Sequence, residues 1–326
     1  MPRASRSRLP RVRCAEEPTS ELVVLSRIAE SLYWIGRSTE RAEDTARLLD
    51  VYYHHLLEDR FADEPMVCTA LLNAMGTELT EPPDADAVMR HLAFAPANPG
   101  SIVASLDVAW ENARGAREAV SSEMWEVLNT AHYTLANRAA TATPHEYFRQ
   151  VRDRMAVLAG LADATLARDE GWRFLVLGRN IERIDMTARI LVARIGSGHT
   201  AGWATTLRCC SGYEAYLRTY RHAVDASSAA EFLLLDYLFP RSVTHALVTC
   251  ERVLEELAPG DGRSRVDDDA RRRTGIARAE LEFVRVADLV ETLPAHLEAV
   301  QRSAAAIHEA VAARYFLAER VVEWSA

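Results

Sequence analysis

Two stretches of the chain share one pattern, GRSTERAEDTAR at residues 36–47 and GRNIERIDMTAR at residues 178–189. Gly, Arg, Glu, Arg, Thr, Ala and Arg match by identity at one constant offset, and Glu43 of the first copy corresponds to Asp185 of the second. A repeat of this length at a single offset indicates an internal duplication. The sequence therefore predicts two related halves, each built around one copy of the motif.

Each copy lies within a longer helical pattern. Around the first copy, apolar and small residues alternate at spacings of three and four, which is a heptad stripe. Its members are Leu25, Ile28, Leu32, Ile35, Thr39, Ala42, Ala46, Leu49, Tyr53 and Leu56. The second copy carries the same stripe, so we predict long helices over about 22–58 and 170–195. The stripe narrows to small side chains at Thr39, Ala42 and Ala46, where a partner helix can approach closely.

The charged residues of the motif form the candidate site. They are Arg37, Glu40, Arg41, Glu43, Arg47, Arg179, Glu182, Arg183, Asp185 and Arg189. Each copy ends in an acid-to-base pair at i, i+4, which stabilises a helix. The first two arginines of each copy lie one turn apart with like charge, so Glu40 and Glu182, or an external anion, must offset them. We predict that the helices bearing these two glutamates pack together around an approximate two-fold axis.

Three interpretations of these charges are open. A buried Arg–Glu network could lock the two helices in register. Paired guanidinium groups could instead bind an anion or a carboxylate, or one of the glutamates could be catalytic. The chain Pro240-Arg241-Ser242 begins another helix, whose free N–H groups could hold an anion together with Arg241, although ordinary helix initiation by Pro is the simpler interpretation.

The rest of the chain predicts shorter helices and no strand, because no alternating apolar and polar run is present. The predicted ranges are 66–75, 84–94, 101–120, 122–138, 144–168, 203–210, 213–224, 228–239, 241–257, 274–293 and 295–322. Residues 259–273, with an acidic and a basic block, are predicted to be an exposed loop. Residues 1–21 are predicted to be a disordered tail. The sequence thus predicts an all-α, multi-helix bundle over residues 22–326.

Composition excludes several classes of protein. The net charge is −9, so no global basic field favours nucleic acid or an anionic membrane. All 38 basic residues are Arg. Without lysine there is no Schiff base, no Walker A lysine and no kinase-type lysine. The five cysteines lack CxxC spacing, and His54-His55 with Glu58 is better explained as an exposed helix end than as a metal site. We therefore expect no metal, no cofactor and no recognised catalytic residue.

Four segments resemble the alpha-E family, a helical domain of uncharacterised function named for its ER motif. They are LSRIAESLYWIGRSTERAEDTARLLDV (25–51), ENARGAREAVSSEMWEVLN (111–129), WRFLVLGRNIERIDMTARIL (172–191) and EAYLRTYRHAVDASSAAEFLLLDYLFPRSV (214–243). The likeness covers roughly residues 22–257. One departure within the repeat is Met186, where the first copy has Asp44.

This resemblance implies partners rather than a reaction. Alpha-E proteins tend to be encoded with, or fused to, a circularly permuted ATP-grasp ligase and a transglutaminase-like peptidase. It implies a non-catalytic accessory or substrate-platform subunit of a peptide-forming or peptide-modifying system. The scattered cysteines and the lack of a secretory signal pattern predict a cytoplasmic location. No catalytic residues are established for the family, so none are carried over. The alternatives are an enzyme whose Arg/Glu site lies where the two ER helices meet, and a pure assembly scaffold.

Overall fold

Every regular element in the described part of the chain is helical, which confirms the all-α prediction. The computed structural model describes residues 20–59, 61–79, 83–138, 143–198, 202–259 and 266–316, and only the backbone of 20–25 and 136–138. The predicted tail at 1–21 lies outside these residues, apart from its last two, which belong to the first helix. Over the described residues, no helix has an apolar stretch long enough to cross a bilayer.

The helices are numbered in chain order. Their bounds are α1 Ser20–Glu58, α2 Glu64–Ala74, α3 Ala85–Met89, α4 Ile102–Gly115, α5 Ser122–Arg138, α6 Pro144–Thr165, α7 Glu170–Gly196, α8 Trp203–Cys209, α9 Tyr213–Tyr220, α10 Ala226–Leu235, α11 Val243–Leu257, α12 Asp269–Glu282 and α13 Leu289–Tyr315. A π-helical turn, Arg90–Phe94, extends α3, and a 3-10 turn, Val286–Asp288, precedes α13.

Short polar side chains set the starts of the helices around the centre. Thr143 caps α6 by accepting a hydrogen bond from the N–H of Glu146, and Pro144 follows at the first helical position. Asp169 caps α7 in the same way, through the N–H of Trp172. Helix α7 ends just before Gly198, which adopts a left-handed backbone conformation.

The two long helices, α1 and α7, form the centre of the molecule and make the most extensive contact between helices in its described part. Helix α1 also packs against α4 and α6, and α7 packs against α2, α11 and α13. The alanines of the predicted stripe, Ala42, Ala46 and Ala188, are buried at this centre, and Thr39 is partly buried. The buried faces of α1 and α7 therefore position the motif between the surrounding helices.

The predicted loop at 259–273 extends too far along the chain. Helix α12 begins at Asp269, capped by Asp268, so the predicted loop at 259–273 ends five residues early. Asp269 and the basic block form the first turn of α12 instead, and Asp269 pairs with Arg273 one turn later. Residues 260–265 of that loop lie outside the described residues.

The predicted break at Pro294 is also wrong. Helix α12 ends at Glu282, and α13 runs through Pro294 from Leu289 to Tyr315. Because Pro294 is near the start of α13, its missing N–H removes one early helical bond without ending the helix. Residues 317–322 of the predicted last helix lie outside the described residues.

Candidate functional site: the paired ER helices

The two motif glycines let the backbones of α1 and α7 touch. A Cβ atom on Gly36 would lie 2.1 Å from the carbonyl oxygen of Leu175, and one on Gly178 would lie 2.1 Å from the carbonyl oxygen of Tyr33. These contacts are reciprocal, since both glycines and both carbonyl residues are 142 positions apart (178 − 36 and 175 − 33). The helices therefore run parallel and are related locally by an approximate two-fold axis along them.

Glu182 is the most enclosed charge of the site. Its side chain is fully buried on α7, and both carboxylate oxygens are bound by guanidinium groups from α1. Arg41 donates to Oε1 from Nε at 2.6 Å and to Oε2 from Nη2 at 2.9 Å, while Arg37 donates to Oε2 from Nε at 2.8 Å. Burial alone would raise the pKa of Glu182, but Arg41 and Arg37 outweigh it and lower the pKa.

Glu40 is the reciprocal carboxylate on α1. Arg183 donates to Oε1 at 2.7 Å and to Oε2 at 3.2 Å, which mirrors the bidentate contact of Arg41 with Glu182. Burial acts to raise the pKa of Glu40, yet Arg241 and Arg183 lower it to about 2. Both ER glutamates are thus held ionised by arginines of other helices.

The second arginine on Glu40 breaks the two-fold relation. By symmetry Arg179 should bind Glu40 as Arg37 binds Glu182, but Arg241 lies there instead, with Nη1 2.9 Å from Oε1 of Glu40. Among the described residues, Arg179 forms only one distant ion pair, in which its Nη1 lies 3.9 Å from Oδ1 of Asp163. The side chain of Arg179 is nevertheless only 13% exposed. Burial lowers the pKa of Arg179, and the neighbouring Arg183 adds to that effect. Arg179 is therefore the least neutralised cation of the motif.

Arg241 comes from the loop just before α11 and gathers three carboxylates of α1. Besides Glu40, it binds Asp44 through Nη1 and Glu43 through Nη2 at 2.9 Å. Its own backbone carbonyl accepts a hydrogen bond from the hydroxyl of Thr187 at 2.9 Å, so a threonine of the second motif positions the loop. No sequence pattern predicted the contacts of Arg241 with Asp44 and Glu43, because 197 and 198 residues separate these partners.

The remaining motif charges form the predicted pairs within each helix. Arg47 binds Glu43 at 2.6 Å on α1, and Arg189 binds Asp185 at 2.8 Å on α7. Arg189 also donates to the carbonyl oxygen of Ala74 at 2.9 Å, which ties α2 to α7. The structure thus brings nine of the ten predicted residues into close ion pairs and leaves Arg179 with a distant one.

Asp44 is a functional candidate that the sequence interpretation passed over. It is buried, and burial raises its pKa to about 7, because the nearby Glu40 and Glu43 offset much of the lowering effect of Arg241. At the equivalent position α7 carries the buried Met186, so this acid exists on one side of the pair only. A carboxyl group that titrates near neutrality is able to take up or release a proton under physiological conditions.

A family model described as a predicted alpha-helical domain with a conserved ER motif matches residues 24–316. The chain belongs to the Alpha-E family. The dipeptides Glu40-Arg41 and Glu182-Arg183 fit that description, and they are the residues that exchange bidentate contacts between α1 and α7.

Uncharacterised proteins of Mycobacterium bovis and Mycobacterium tuberculosis are similar to this Alpha-E chain, at 26% identity over 270 residues. The alignment covers 73% of this chain and 30% of each relative, so the chain spans less than a third of the length of the proteins it matches. None of the solved structures compared with the chain matched it.

The ER site of this Alpha-E protein is suited to holding helices together. Glu40 and Glu182 are ionised and bound by guanidinium groups, so most of their hydrogen-bonding capacity is used within the chain. A separate group of possible metal ligands, Asp50, His54 and His145, lies further along α1 and at the start of α6. The site thus combines a core of close ion pairs with two exceptions. They are Arg179, whose ion pair is distant, and Asp44, whose pKa is raised.

Proposed function

We propose that this Alpha-E protein is a non-catalytic, cytoplasmic helical platform that works with a circularly permuted ATP-grasp ligase and a transglutaminase-like peptidase. In this role the partners supply the chemistry of peptide formation or modification. The Alpha-E chain supplies a rigid surface on which the substrate or the partner is positioned.

The observation that carries the proposal is the complete pairing of the two ER glutamates. Glu40 and Glu182 each have both oxygens bound by guanidinium groups, at 2.6–3.2 Å, and their pKa values are lowered. A carboxylate in this state has little basicity and is a poor acceptor for a substrate proton. The ER pair is therefore better suited to holding two helices in register than to acid–base catalysis.

The mycobacterial relatives support a role beside other proteins. In each relative the region similar to this chain makes up 30% of the length, so the helical unit is joined to a much longer polypeptide there. Fusion of a unit to other sequence favours a shared task. That the task involves an ATP-grasp ligase and a peptidase rests on the family resemblance.

A reconstitution assay tests this proposal. The purified chain is mixed with ATP, magnesium and an amino-acid pool, with and without the ATP-grasp protein encoded beside an Alpha-E relative. We expect no release of ADP from the chain alone, because it has no lysine to grip phosphate, and faster ligation when both proteins are present. Turnover by the chain alone that Glu40→Gln abolishes, with the fold intact, would contradict the platform role.

One observation favours an enzyme as the second candidate. Asp44 is buried beside Arg241, and its pKa is raised to about 7, which suits a general acid or base. In the same assay, Asp44→Asn would then remove turnover while the melting temperature stayed within a few degrees of the parent. If Asp44→Asn changes stability only, the acid belongs to the core.

A further inference from the structure

A second cluster of polar residues lies where the end of α1 meets the beginning of α6. Asp50 and His54 lie one turn apart on α1, and His145 is the second residue of α6, directly after the cap at Thr143 and Pro144. One carboxylate oxygen and one ring nitrogen from each histidine lie within 4.8 Å of one another. This convergence brings together three residues, of two types that ligate transition metals.

We propose that Asp50, His54 and His145 form a binding site for one divalent transition-metal ion of the zinc class. The proposal is independent of the platform role, because the cluster shares no residue with the ER pair. The ion would link the first turn of α6 to the last turns of α1.

The distances fit such an ion with small adjustments. Ligand bonds of about 2.0–2.2 Å in a tetrahedral site separate neighbouring ligand atoms by about 3.4 Å. Nδ1 of His54 lies 3.4 Å from Oδ1 of Asp50, which already matches this separation. Nδ1 of His145 lies 2.7 Å from the same oxygen, a hydrogen-bond length that must open by about 0.7 Å. Nδ1 of His54 donates its proton to the backbone oxygen of Asp50 at 2.8 Å, so that bond must break as well. In both imidazoles the proton of Nδ1 would move to Nε2 when the ion takes its place.

The carboxylate is fixed while the imidazoles are free to adjust. The side chain of Asp50 is only 7% exposed, and Nη2 of Arg152 on α6 binds its other oxygen, Oδ2, at 2.9 Å. Oδ1 is thereby directed at the two rings. The side chains of His54 and His145 are 43% and 52% exposed, so they can rotate slightly toward an ion. An outer group that orients a ligating carboxylate is typical of metal sites.

A hydrogen-bonded cluster without metal is the simpler alternative, and one feature speaks against it. Arg152 and His145 already satisfy both oxygens of Asp50, and Nδ1 of His54 has its own partner in the backbone oxygen of Asp50 at 2.8 Å. A cluster without metal does not require two imidazole rings to lie beside one carboxylate. The two rings meet edge to face with centroids 4.7 Å apart, so two nitrogen ligands are held beside one oxygen.

The donor set selects the class of ion. Two imidazole nitrogens and one carboxylate oxygen suit Zn²⁺, Co²⁺ and related ions, whereas Mg²⁺ and Ca²⁺ prefer oxygen ligands. Three protein ligands leave a position for water on the exposed side, as in zinc sites that are open to a further ligand. Arg152 partly neutralises Asp50, which limits the affinity of the site.

Metal titration of the full chain tests this site. The protein is stripped with a chelator and titrated with Zn²⁺ by calorimetry near neutral pH, and melting temperatures are measured with and without the ion. We expect one equivalent of Zn²⁺ to bind and to raise the melting temperature, since the ion binds the folded chain. Substituting either histidine (His54→Ala or His145→Ala) should weaken binding by about tenfold or more, a loss at least as large as outer-shell changes cause. Mg²⁺ should produce no shift.

A matched control separates the site from ordinary surface histidines. His222 is also exposed and lies 3.6 Å from the carboxylate of Asp225, but no second imidazole of the described residues joins it in a ligand cluster. His222→Ala should leave the affinity unchanged. The visible absorption of bound Co²⁺ provides a second readout on the unmodified chain, and it should lack the near-ultraviolet charge-transfer band of thiolate ligands.

Three results of the binding measurements would overturn the proposal. They are no saturable binding of Zn²⁺, equal binding by the double variant H54A/H145A, and a loss in His222→Ala as large as in His145→Ala. Because both histidines are half exposed, the variants should fold, and the melting temperatures of the metal-free proteins verify this. A thiolate band in the Co²⁺ spectrum would assign the ion to cysteine and reject the site.

Discussion

At the scale of single residues, each of the four main guanidinium groups in the ER pair is matched to a buried carboxylate of another helix. Arg37 and Arg41 meet Glu182, while Arg183 and Arg241 meet Glu40. Such a network adds little net stability compared with apolar packing, because removing charges from water is costly. Its main effect is on register, since a shift of either helix would leave charges buried without partners.

Removing one arginine should reveal this effect. We expect Arg41→Ala to lower the free energy of unfolding by about 3 kcal/mol, because Glu182 is fully buried and would keep only Arg37. Urea denaturation followed by circular dichroism measures the change. Arg302→Ala is the control, since Arg302 pairs with Glu298 on the exposed face of α13 and should cost less than about 1 kcal/mol. An Arg41→Ala protein as stable as the parent, yet inactive with the ligase, would favour ligand binding.

The acidic limb of the pH–stability curve should reflect Glu40. Its pKa is lowered from 4.5 to about 2 in the folded chain. A folded pKa below the unfolded one means that the stabilisation is complete above pH 4.5 and is lost as the pH falls toward 2. We expect the urea midpoint to decrease across this window. A midpoint that stays constant down to pH 3 would contradict the ion pairing of Glu40.

Asp44 should act in the opposite sense at higher pH. Its pKa is raised from 3.8 to about 7, so folding favours the protonated form. The free energy of unfolding of the parent therefore falls as the pH rises from about 4 through 7. The Asp44→Asn protein has no carboxyl group at this position, so this loss does not occur in it. The stability of Asp44→Asn relative to the parent should increase across that interval, whatever its value at pH 4. Parallel curves for the two proteins would show that Asp44 is already ionised when folded.

At the scale of helices, the sequence predicted the long central elements well and the peripheral ends less well. The motif helices were expected at about 22–58 and 170–195, and α1 and α7 are Ser20–Glu58 and Glu170–Gly196. A stripe repeated over about nine turns outweighs local ambiguity. Helix α4 instead ends at Gly115, five residues before the predicted Val120, because a short amphipathic pattern does not show where tertiary contacts stop.

The closest approach of α1 and α7 also lies one turn earlier than predicted. The small residues from Thr39 to Ala46 suggested the crossing point, but the backbones touch at Gly36 and Gly178. These glycines were noted as part of the repeat. Sequence alone could not show that both face the same axis.

Adding one methyl group at this crossing should be highly destabilising. We expect Gly178→Ala to cost about 3 kcal/mol or more, because its Cβ would lie 2.1 Å from a backbone oxygen that cannot move without separating the helices. Gly36→Ala should behave alike. Gly160→Ala is the matched control, since Gly160 is an exposed residue within α6 whose Cβ would meet nothing within 4 Å. That change should stabilise the chain by about 0.5–1 kcal/mol. Equal effects at Gly160 and Gly178 would contradict the close approach.

At the scale of the whole molecule, the contacts of the two ER helices are similar. Helix α1 packs against α4 and α6, with α5 between those two, and α7 packs against α11 and α13, with α12 between them. The all-α fold was predictable because period and composition agree throughout. Which helices surround each ER helix was not, because no local pattern encodes contacts across hundreds of residues. The prediction of two related halves stays a hypothesis, and the similar arrangement of helices around α1 and α7 supports it.

Dividing the chain between Arg168 and Asp169 tests that hypothesis. The first fragment contains α1 to α6 and the second contains α7 to α13, so the cut separates the most extensive helix contact of the described chain. Each fragment alone would expose the apolar face of its ER helix and leave Arg41 or Glu182 without a partner. We expect neither to melt cooperatively, and we expect the co-expressed fragments to form a one-to-one complex that does.

A pair of variants in the first fragment makes this test specific. Arg41→Ala should weaken association by about 100-fold, which corresponds to about 3 kcal/mol at 1.4 kcal/mol per tenfold change. Arg114→Ala should have no effect, because Arg114 pairs with Glu111 on the exposed face of α4, within the same fragment. Calorimetric titration of one fragment with the other measures both. Two fragments that melt cooperatively on their own and do not associate would show that the ER helices join independent domains, and the shared charged core would then be dispensable for folding.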